Sequence, residues 1–371
     1  MMHPDLPFAD ALGPVRVIHV HQPQLGLAGT VVIDNLACGP AIGGLRMEPD
    51  VTAAECARLA RAMTFKNAAA GLPHGGGKSV LRADPGLPAE HKQRLIRAFA
   101  AALRDERGYI YGPDMGTDET CMAWVRDEIG RAVGLPRALG GIPLDQIGAT
   151  GWGVCQAAEV AFAQLGRSLA GARVVVQGFG AVGRHAARFL VARGARVVAV
   201  ADSRGAVHRP DGLDLEALLA LKASGESVTG CPDATLIDAE ALVGVDCDLW
   251  IPAARPDVIH AGNADHLRAA LVVEGANIPV TAEAERSLHD RGVWVVPDFI
   301  ASAGGVICAA MELLGATEGA ALAAVAERVR ANTATVLARA QATPCTPREA
   351  AEALATERLQ AAMATRRFGL Y

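Results

Sequence analysis

The 371-residue chain is poor in aromatic residues, which make up 4% of it. A surface of stacked rings for single-stranded nucleic acid is therefore not expected. The chain has 35 Lys and Arg against 40 Asp and Glu, a net charge of −5, so it lacks the basic excess typical of proteins that bind nucleic acid or anionic membranes. It also lacks any apolar run near the ~20 residues that a membrane-spanning helix needs.

The eight cysteines are scattered, and no two of them form a Cys-x-x-Cys pair. This spacing fits neither a zinc module nor a disulfide framework, so we expect reduced thiols and a cytoplasmic location. Residues 1–14 lack the basic-then-apolar pattern of a secretory signal. His19 and His21 share one face of a predicted strand, but no nearby carboxylate or Cys completes a site, and we predict no metal.

The length and the 51% hydrophobic content predict two domains, each with its own core. The first ~140 residues mix strands, at 15–20 and 29–35, with helices, one of which begins at the capping box Thr52–Glu55 and runs to about Ala70. From Ala172 onward, short apolar runs alternate with helices, which is typical of a parallel sheet. The strands predicted there are 173–177, 196–201, 248–252, 271–275 and 293–297. A second capping box, Thr346–Glu349, begins a terminal helix.

A glycine fingerprint follows the predicted strand 173–177 directly and begins a helix. In this context the pattern is that of a dinucleotide site, where glycines let the backbone approach a pyrophosphate at a helix N-terminus. Asp202, at the end of the next strand, is placed to accept hydrogen bonds from the adenosine ribose and favours NAD. Ser203 and Arg204 could instead receive a 2′-phosphate, so NADP stays open. The fingerprint comprises Gly178, Phe179, Gly180, Ala181, Val182 and Gly183.

Lys78 ends a triple-glycine segment, residues 75–77, that we interpret as a loop. Leu72 stands where the phosphate loop of nucleoside-triphosphate enzymes needs glycine, so that function is excluded. A lysine among glycines can approach a small substrate, and burial or a nearby cation such as Lys66 would lower its pKa toward neutrality. Asp114 lies in a loop rich in Gly and Pro that could present it at a cleft. The segment 148–153, which contains Thr150, precedes an Ala-rich helix near the predicted domain boundary.

Taken together, these motifs resemble those of the glutamate/leucine/phenylalanine/valine dehydrogenases, a family of NAD(P)-dependent amino-acid dehydrogenases. The resemblance covers nearly the whole chain, in the family's order, and the joint occurrence is more specific than any single motif. The matching segments are GPAIGGLRM (39–47), MTFKNAAAG (63–71), GGGK (75–78), GPDMG (112–116), the Thr150 motif, the fingerprint, EGAN (274–277), PD (297–298) and GGV (304–306).

The resemblance implies an α/β fold of two domains. Residues 1–145 would form a mixed α/β domain for substrate binding and oligomerisation, and residues 146–330 a doubly wound Rossmann domain. Residues 331–371 would be helices that pack back on the first domain. It also implies a homo-oligomer, with the strands near 15–35 as contact elements.

The resemblance further implies the roles of individual residues. Lys66 would hold the substrate α-carboxylate, Lys78 would be the catalytic lysine, and Asp114 would move protons to and from the amine. Thr150 and Asn277 would lie along the nicotinamide and its ribose. The reaction would convert an amino acid into its 2-oxo acid and ammonia.

The side-chain pocket departs from that of the family members that act on glutamate. Those members have a lysine directly before the Gly43–Gly44 pair and a serine at the position of Ala309, whereas this chain has Ile42 and a methyl group. A carboxylate would lose its hydration there without compensation, at a cost of several kcal/mol, whereas each buried CH₂ would gain about 0.8 kcal/mol. We therefore predict an apolar substrate of the leucine, valine or phenylalanine type.

Two alternatives remain open. One is a glutamate dehydrogenase with an atypical pocket. The other is a nicotinamide-binding regulator that has kept the fold and lost the chemistry, although its expected signature, a missing Lys78 or Asp114, is not found.

Overall fold

A computed structural model describes residues 9–366, so residues 1–8 of the amino-terminal segment considered above lie outside it. The chain divides into two compact units. The first unit contains the residues up to Leu144, Val306–Ala321 and the chain from Leu354 onward; the second contains Asp145–Gly305 and Leu322–Ala353. The predicted scheme is 1–145, 146–330 and 331–371. In the structure Val306–Ala321 belongs to the first unit, and the return to the first unit near the end of the chain begins at Leu354.

The strands within the described residues are β1 (Arg16–Gln22), β2 (Leu27–Asn35), β3 (Ala41–Met47), β4 (Gly75–Leu81), β5 (Tyr109–Pro113), β6 (Arg173–Gln177), β7 (Arg196–Asp202), β8 (Gly205–His208), β9 (Thr235–Ile237), β10 (Leu249–Pro252), β11 (Leu271–Val273) and β12 (Trp294–Val296). The α-helices are α1 (Ala53–Ala69), α2 (Ala89–Ala102), α3 (Glu119–Ile129), α4 (Leu144–Ile147), α5 (Ala149–Gln164), α6 (Ala181–Val191), α7 (Leu215–Ala223), α8 (Ala282–Asp290), α9 (Asp298–Ala301), α10 (Gly304–Leu313), α11 (Glu318–Ala342) and α12 (Pro347–Thr365). None of the helices described is both long and apolar enough to cross a membrane.

The first unit is built on a five-stranded mixed sheet in the order β1-β2-β4-β3-β5. Strands β4, β3 and β5 run parallel, β2 is added antiparallel to β4 at one edge, and β1 pairs antiparallel with β2. One face of the sheet packs against α2 and α3 in a core that includes Phe99, Tyr109 and Met122, all at most 1% exposed. The other face receives α1, with Val32, Cys56 and Val80 in the contact.

The second unit is built on a seven-stranded sheet in the order β12-β11-β10-β6-β7-β8-β9. Its first five strands are parallel, and β8 and β9 are antiparallel additions at the edge. The parallel strands begin and end within two residues of the predicted bounds because they are continuous apolar runs buried on both faces. The doubly wound sheet predicted for this part of the chain is confirmed.

Helix α1 begins where the capping box predicts. The Thr52 hydroxyl accepts a hydrogen bond from the Glu55 N–H at 3.1 Å, as in a capping box, but the Glu55 carboxylate binds Arg46 at 2.7 Å. Leu59 and Met63 are only half-buried. The buried residues are Cys56, Ala57, Ala60, Thr64, Lys66, Asn67, Ala68 and Ala69.

Candidate active site

Lys78 lies in the middle of strand β4, so the prediction that its glycines form a loop is wrong. The segment needs glycine because atoms of neighbouring segments pack directly against its backbone. A Cβ at Gly75 would lie 1.8 Å from the Asn35 carbonyl oxygen, and one at Gly76 would lie 2.0 Å from the Thr64 nitrogen on α1. No real Cβ tolerates such distances, so the segment lacks side chains where another backbone passes.

The Lys78 ammonium pairs with Asp114, which follows the last residue of β5. Its Nζ lies 2.6 Å from Asp114 Oδ2, with the two side chains 6% and 17% exposed. Strand β3 separates β4 from β5, and its central residues are Gly43 and Gly44, where a Cβ would lie 2.0 Å from the Gly77 oxygen and 2.7 Å from Asp114 Cβ respectively. Because this middle strand has no side chains there, the lysine can meet the carboxylate across it.

Arg46, on β3, is a second cation on the same carboxylate, and sequence reasoning missed it. Its Nε lies 3.1 Å from Asp114 Oδ2, and its Nη1 lies 2.7 Å from Glu55 Oε1. Burial alone would raise the pKa of Asp114, but the positive charges of Lys78 and Arg46 outweigh it and hold that pKa below its usual value. Arg46 stands in the segment that carries the family resemblance, and that position was the signal that pointed to it.

Lys66 lies in the last turn of α1 and is buried, with 9% of the residue exposed. Thr64, two residues earlier, is where α1 touches the glycines of β4, so α1 and the Lys78 strand are in direct contact. The carbonyl oxygens of Ala68 and Leu72, which follow Lys66, accept hydrogen bonds from Arg358 on α12 at 3.0 and 3.1 Å. The end of α1 that bears Lys66 is therefore held at several points.

The predicted pocket residues Ile42 and Ala309 meet in one apolar cluster of the first unit. Ile110 and Val133 complete the cluster, and all four residues are at most 9% exposed. Ile42 and Ile110 are neighbours across β3 and β5. The two positions at which this sequence departs from the pattern for glutamate are therefore neighbours in space.

The fingerprint of the second unit has the backbone conformation that a dinucleotide requires. Gly178 adopts a positive φ of 96°, and a Cβ at Gly183 would lie 1.9 Å from the Gly178 oxygen, so helix and strand pack closely. Gly180 caps α6 without any side-chain bond, and no described atom lies within 4 Å of a Cβ placed there. The residues present thus fit a pyrophosphate: no side chain caps the N-terminus of α6, and the Cβ side of its N-cap Gly180 is open. Phe179 is buried, and Ala181 and Val182 form that first turn.

Asp202 ends β7 as predicted, but its carboxylate is already occupied by groups of its own chain. Oδ1 accepts hydrogen bonds from the Arg204 N–H and the Ser227 hydroxyl, and Oδ2 accepts them from Lys222 Nζ and the Val228 N–H, all between 2.9 and 3.0 Å. Burial acts to raise the pKa of Asp202, but these donors lower it to about 2. The Lys222 ammonium also compensates the negative charge that was expected to repel a 2′-phosphate. Ser203 is exposed.

Thr150 and Asn277 lie in two different elements of the second unit, the first turn of α5 and the turn after β11. Thr150 is the second residue of α5, so the prediction that its motif precedes the helix is wrong: Gly148, with φ 71°, is the N-cap, and the motif forms the first turns. Gly305 approaches so closely that a Cβ there would lie 3.3 Å from Thr150 Oγ1. Asn277 lies in the turn after β11, directly before Ile278, whose φ is 48°.

The predicted residues thus fall into two sets. Lys66, Lys78, Asp114 and the pocket belong to the first unit, whereas the fingerprint, Asp202, Ser203, Thr150 and Asn277 belong to the second. A Rossmann-type sheet with a glycine fingerprint, in a chain that also holds a buried lysine–carboxylate pair, is typical of a nucleotide-dependent oxidoreductase.

Comparison with known families specifies this class. Residues 140–367 match the family model of the Glutamate/Leucine/Phenylalanine/Valine dehydrogenases, and residues 14–131 match the model of the Glu/Leu/Phe/Val dehydrogenase dimerisation domain. The chain belongs to this family. It is an amino-acid dehydrogenase, an oxidoreductase that depends on NAD(P).

Several known proteins are similar to the chain over most of its length. The glutamate dehydrogenase of Thermotoga maritima is 42% identical over 307 residues, 79% of this chain and 73% of the relative. The NADP-specific glutamate dehydrogenase of Saccharolobus shibatae and the NAD-specific one of Staphylococcus aureus are each 37% identical over 82% of this chain and 76% and 78% of their own. Among solved structures, the leucine-bound hetero-hexameric glutamate dehydrogenase of Thermus thermophilus superposes with a TM-score of 0.85, at 34% identity, over 96% of this chain and 91% of that one.

Proposed function

We propose that this chain catalyses the reversible oxidative deamination of an L-amino acid to its 2-oxo acid and ammonia, with Lys78 and Asp114 as the catalytic residues. The observation that carries the proposal is the buried contact of 2.6 Å between Lys78 Nζ and Asp114 Oδ2 in a chain of this family. NAD(P)⁺, when bound, accepts the hydride from the α-carbon. The protein's own side chains carry out the remaining steps.

Lys66 binds the α-carboxylate of the amino acid. Loss of hydride leaves a substrate iminium, and Lys78 Nζ then assists the attack of water on its carbon. The ionised Asp114 accepts through Oδ2 a proton that the attacking water releases and passes it to the amine nitrogen, which leaves as ammonia. The Lys78–Asp114 hydrogen bond provides a direct path for this proton. Arg46 binds the same oxygen and keeps the carboxyl ionised between turnovers.

The cofactor is held by the second unit. The amide groups at the first turn of α6, after Gly178 and Gly180, bind the pyrophosphate. Thr150 and Asn277 contact the nicotinamide side, and Asp202, Ser203 and Lys222 lie on the adenosine side. Both NAD-specific and NADP-specific relatives occur at 37% identity, and we propose NAD with NADP as a second cofactor.

Glutamate is the first candidate for the substrate. The curated relatives described above, at 37–42% identity, are glutamate dehydrogenases. They favour the glutamate alternative over the apolar substrate that Ile42 and Ala309 led us to expect. In this enzyme the γ-carboxylate would need a cation or hydrogen-bond donor other than residue 42.

An apolar amino acid is the second candidate, and one observation favours it. Ile42, Ile110, Val133 and Ala309 form a contiguous apolar cluster next to Gly43 and Gly44, which border the catalytic pair. A leucine side chain placed there would gain roughly 0.8 kcal/mol per buried CH₂, whereas an unpaired carboxylate would lose several kcal/mol.

A substrate panel separates the candidates. Reduction of NAD⁺ and NADP⁺ is followed with glutamate, leucine, valine and phenylalanine in the unchanged protein, in Ile42→Lys and in the volume control Ile42→Leu. If glutamate is the substrate, it gives the highest kcat/KM in the unchanged protein. If the apolar cluster determines the substrate, leucine, valine or phenylalanine gives the highest kcat/KM in the unchanged protein. Ile42→Lys, but not Ile42→Leu, then shifts the ratio of kcat/KM values toward glutamate by at least about tenfold. Binding of NADH with no turnover on any amino acid would contradict the proposed catalysis and favour a regulator.

We also propose that the chain forms a homo-oligomer through the region that matches the dimerisation model. Strand β1 lies at the edge of its sheet, where a second chain could pair with it. Light scattering of the purified protein tests this. A cytoplasmic location, and the absence of nucleic acid and membrane as partners, stay predictions.

A further inference from the structure

Arg348, in the first turn of α12, lies at the centre of a buried cluster of acids that the proposed chemistry does not use. Its Nε lies 2.7 Å from Glu285, its Nη2 2.7 Å from Glu274 and its Nη1 3.1 Å from Asp298. The three carboxylate side chains are at most 5% exposed and that of Arg348 is 17% exposed. One guanidinium thus binds acids from three different segments of the second unit.

Asp298 connects this cluster with the turn that contains Asn277. Its Oδ2 accepts a hydrogen bond from the Ile278 N–H at 3.0 Å, while its Oδ1 binds Arg348. The Asp298 N–H in turn donates to Glu274 Oε2 at 2.7 Å, the same oxygen that Arg348 binds. The segment 274–278 is therefore held at both ends by the cluster.

Asp298 also connects the cluster with the neighbourhood of Thr150. Its carbonyl oxygen accepts hydrogen bonds at 2.7 Å from both the N–H and the hydroxyl of Ser302. Ser302 precedes the glycines that begin α10, and Gly305 is the residue that approaches Thr150 Oγ1. Asp298 thus hydrogen-bonds the residue that follows Asn277, and it is connected to Thr150 through Ser302 and the start of α10.

The turn at Ile278 is strained and needs such support. A β-branched residue with a φ of 48° is an outlier, and conformations of this kind persist only where surrounding contacts impose them. The Ile278 carbonyl oxygen accepts from the N–H of Asp257, which itself has a φ of 54°. The Ile278 N–H, for its part, donates to Asp298, so both backbone polar groups of this residue are held.

The charges of the cluster make Arg348 indispensable to it. Three acids surround one cation, and Glu274 Oε1 and Glu285 Oε1 have no hydrogen-bond partner among the described residues. Burial raises the pKa of Glu274 and that of Glu285, whereas the positive charge of Arg348 acts to lower both. Without Arg348, the carboxylate of Asp298 would face the two glutamates with no opposite charge between them.

We infer that Arg348 is a positioning residue: by holding Asp298 and Glu274, it keeps the strained 274–278 turn and the 298–302 turn in the geometry that binds the nicotinamide half of the cofactor. This inference rests on the proposed cofactor role of Asn277 and Thr150. Arg348 itself touches neither cofactor nor substrate. It should leave the adenosine and pyrophosphate half of the site, at α6 and Asp202, unaffected.

Binding measured without turnover tests the inference. Calorimetric titration compares the Kd of NADH, or NADPH if the unchanged protein prefers it, with that of ADP or 2′,5′-ADP, which lack the nicotinamide half. In Arg348→Met we expect NADH affinity to fall at least about tenfold while ADP affinity changes less than about twofold. Arg348→Lys, which restores one charge but not three contacts, should fall between. Hydrogen exchange at the Ile278 amide should accelerate in Arg348→Met.

Arg291→Met is the matched control, because Arg291 lies in the same unit and donates at 2.6 and 2.7 Å to the carbonyl oxygens of Ala264 and Leu267 instead. It should leave both affinities unchanged. Should Arg348→Met not fold, Asp298→Asn and Glu285→Gln replace it: the first should weaken NADH binding, and the second should not, because Glu285 bonds neither turn. Equal losses for NADH and ADP, or unchanged NADH binding, would overturn the inference. An unchanged protein that binds no NADH would instead overturn the proposed function, and the inference with it.

Discussion

Replacing Arg46 by methionine removes one of the two cations that bind Asp114 and leaves Lys78 in place. Because Arg46 helps to hold the pKa of Asp114 down, that pKa should rise in Arg46→Met. If Asp114 must be ionised in the free enzyme, the acid limb of the pH profile of kcat/KM moves to higher pH. The maximal rate on the plateau should change less, since the catalytic pair itself is intact.

The loss of stability follows from the two contacts. The Arg46–Asp114 bond joins side chains 10% and 17% exposed and is worth about 1.5–3 kcal/mol as a hydrogen bond between charged groups. The Arg46–Glu55 bond has a partner 35% exposed, so solvent screens it to about 0–1 kcal/mol. The free energy of unfolding should therefore fall by about 1.5–4 kcal/mol at pH 7, as measured by urea denaturation.

The pH dependence of the free energy of unfolding follows from the lowered pKa of Asp114. A carboxyl whose pKa is lowered by folding stabilises the native state above its ordinary pKa of 3.8, and this stabilisation is lost as the pH falls through the lowered native value. Arg46→Met reduces that contribution, so the difference from the unchanged protein should narrow in acid. The control Arg97→Met loses an exposed ion pair with Asp127 and Glu128 and should not move the acid limb. An acid limb that stays in place, or moves to lower pH, in Arg46→Met would refute the assigned role of Arg46.

Two further substitutions test the packing of the catalytic strand and the adenosine side of the cofactor site. Gly76→Ala places a Cβ 2.0 Å from the Thr64 nitrogen and should lower the free energy of unfolding by at least about 3 kcal/mol. Its control is Gly319→Ala, in a helix where no described atom lies within 4 Å of the new Cβ, which should raise the free energy of unfolding by up to about 1 kcal/mol. Equal stability of the two variants in urea would contradict the packing argument. Lys222→Ala leaves the Asp202 charge uncompensated and should weaken NADPH binding more than NADH binding, so an unchanged ratio of the two Kd values would show that Lys222 has no part in cofactor choice.

The second unit could be predicted closely from sequence because its signals are local. Its parallel strands are continuous apolar runs, and the fingerprint glycines lie next to one another along the chain. The capping box at Thr346 and Glu349 is likewise local, and the structure has both of its reciprocal hydrogen bonds, at 2.9 and 3.2 Å.

The catalytic strand could not be predicted in the same way. Three glycines carry no hydropathy pattern, and turns are their commonest setting, so β4 was interpreted as a loop. What makes them a strand is the approach of Asn35, Thr64 and Val32 from other segments. Glu55 shows the same limit: its position predicts a capping bond from its carboxylate, but in the folded protein that carboxylate binds Arg46.

By itself the sequence determined the Rossmann sheet and its glycine fingerprint, since these depend on local patterns along the chain. Its resemblance to a known family pointed to that family and to the candidate catalytic pair. Only the tertiary structure decided that Lys78 meets Asp114 across a glycine strand, that Arg46 shares that carboxylate, and that Arg348 gathers three acids. Ion pairs of this kind join residues up to 74 positions apart. Buried and exposed charged residues look alike in the sequence. Only the fold shows which of them are paired, because burying a charge is costly unless an opposite charge lies beside it.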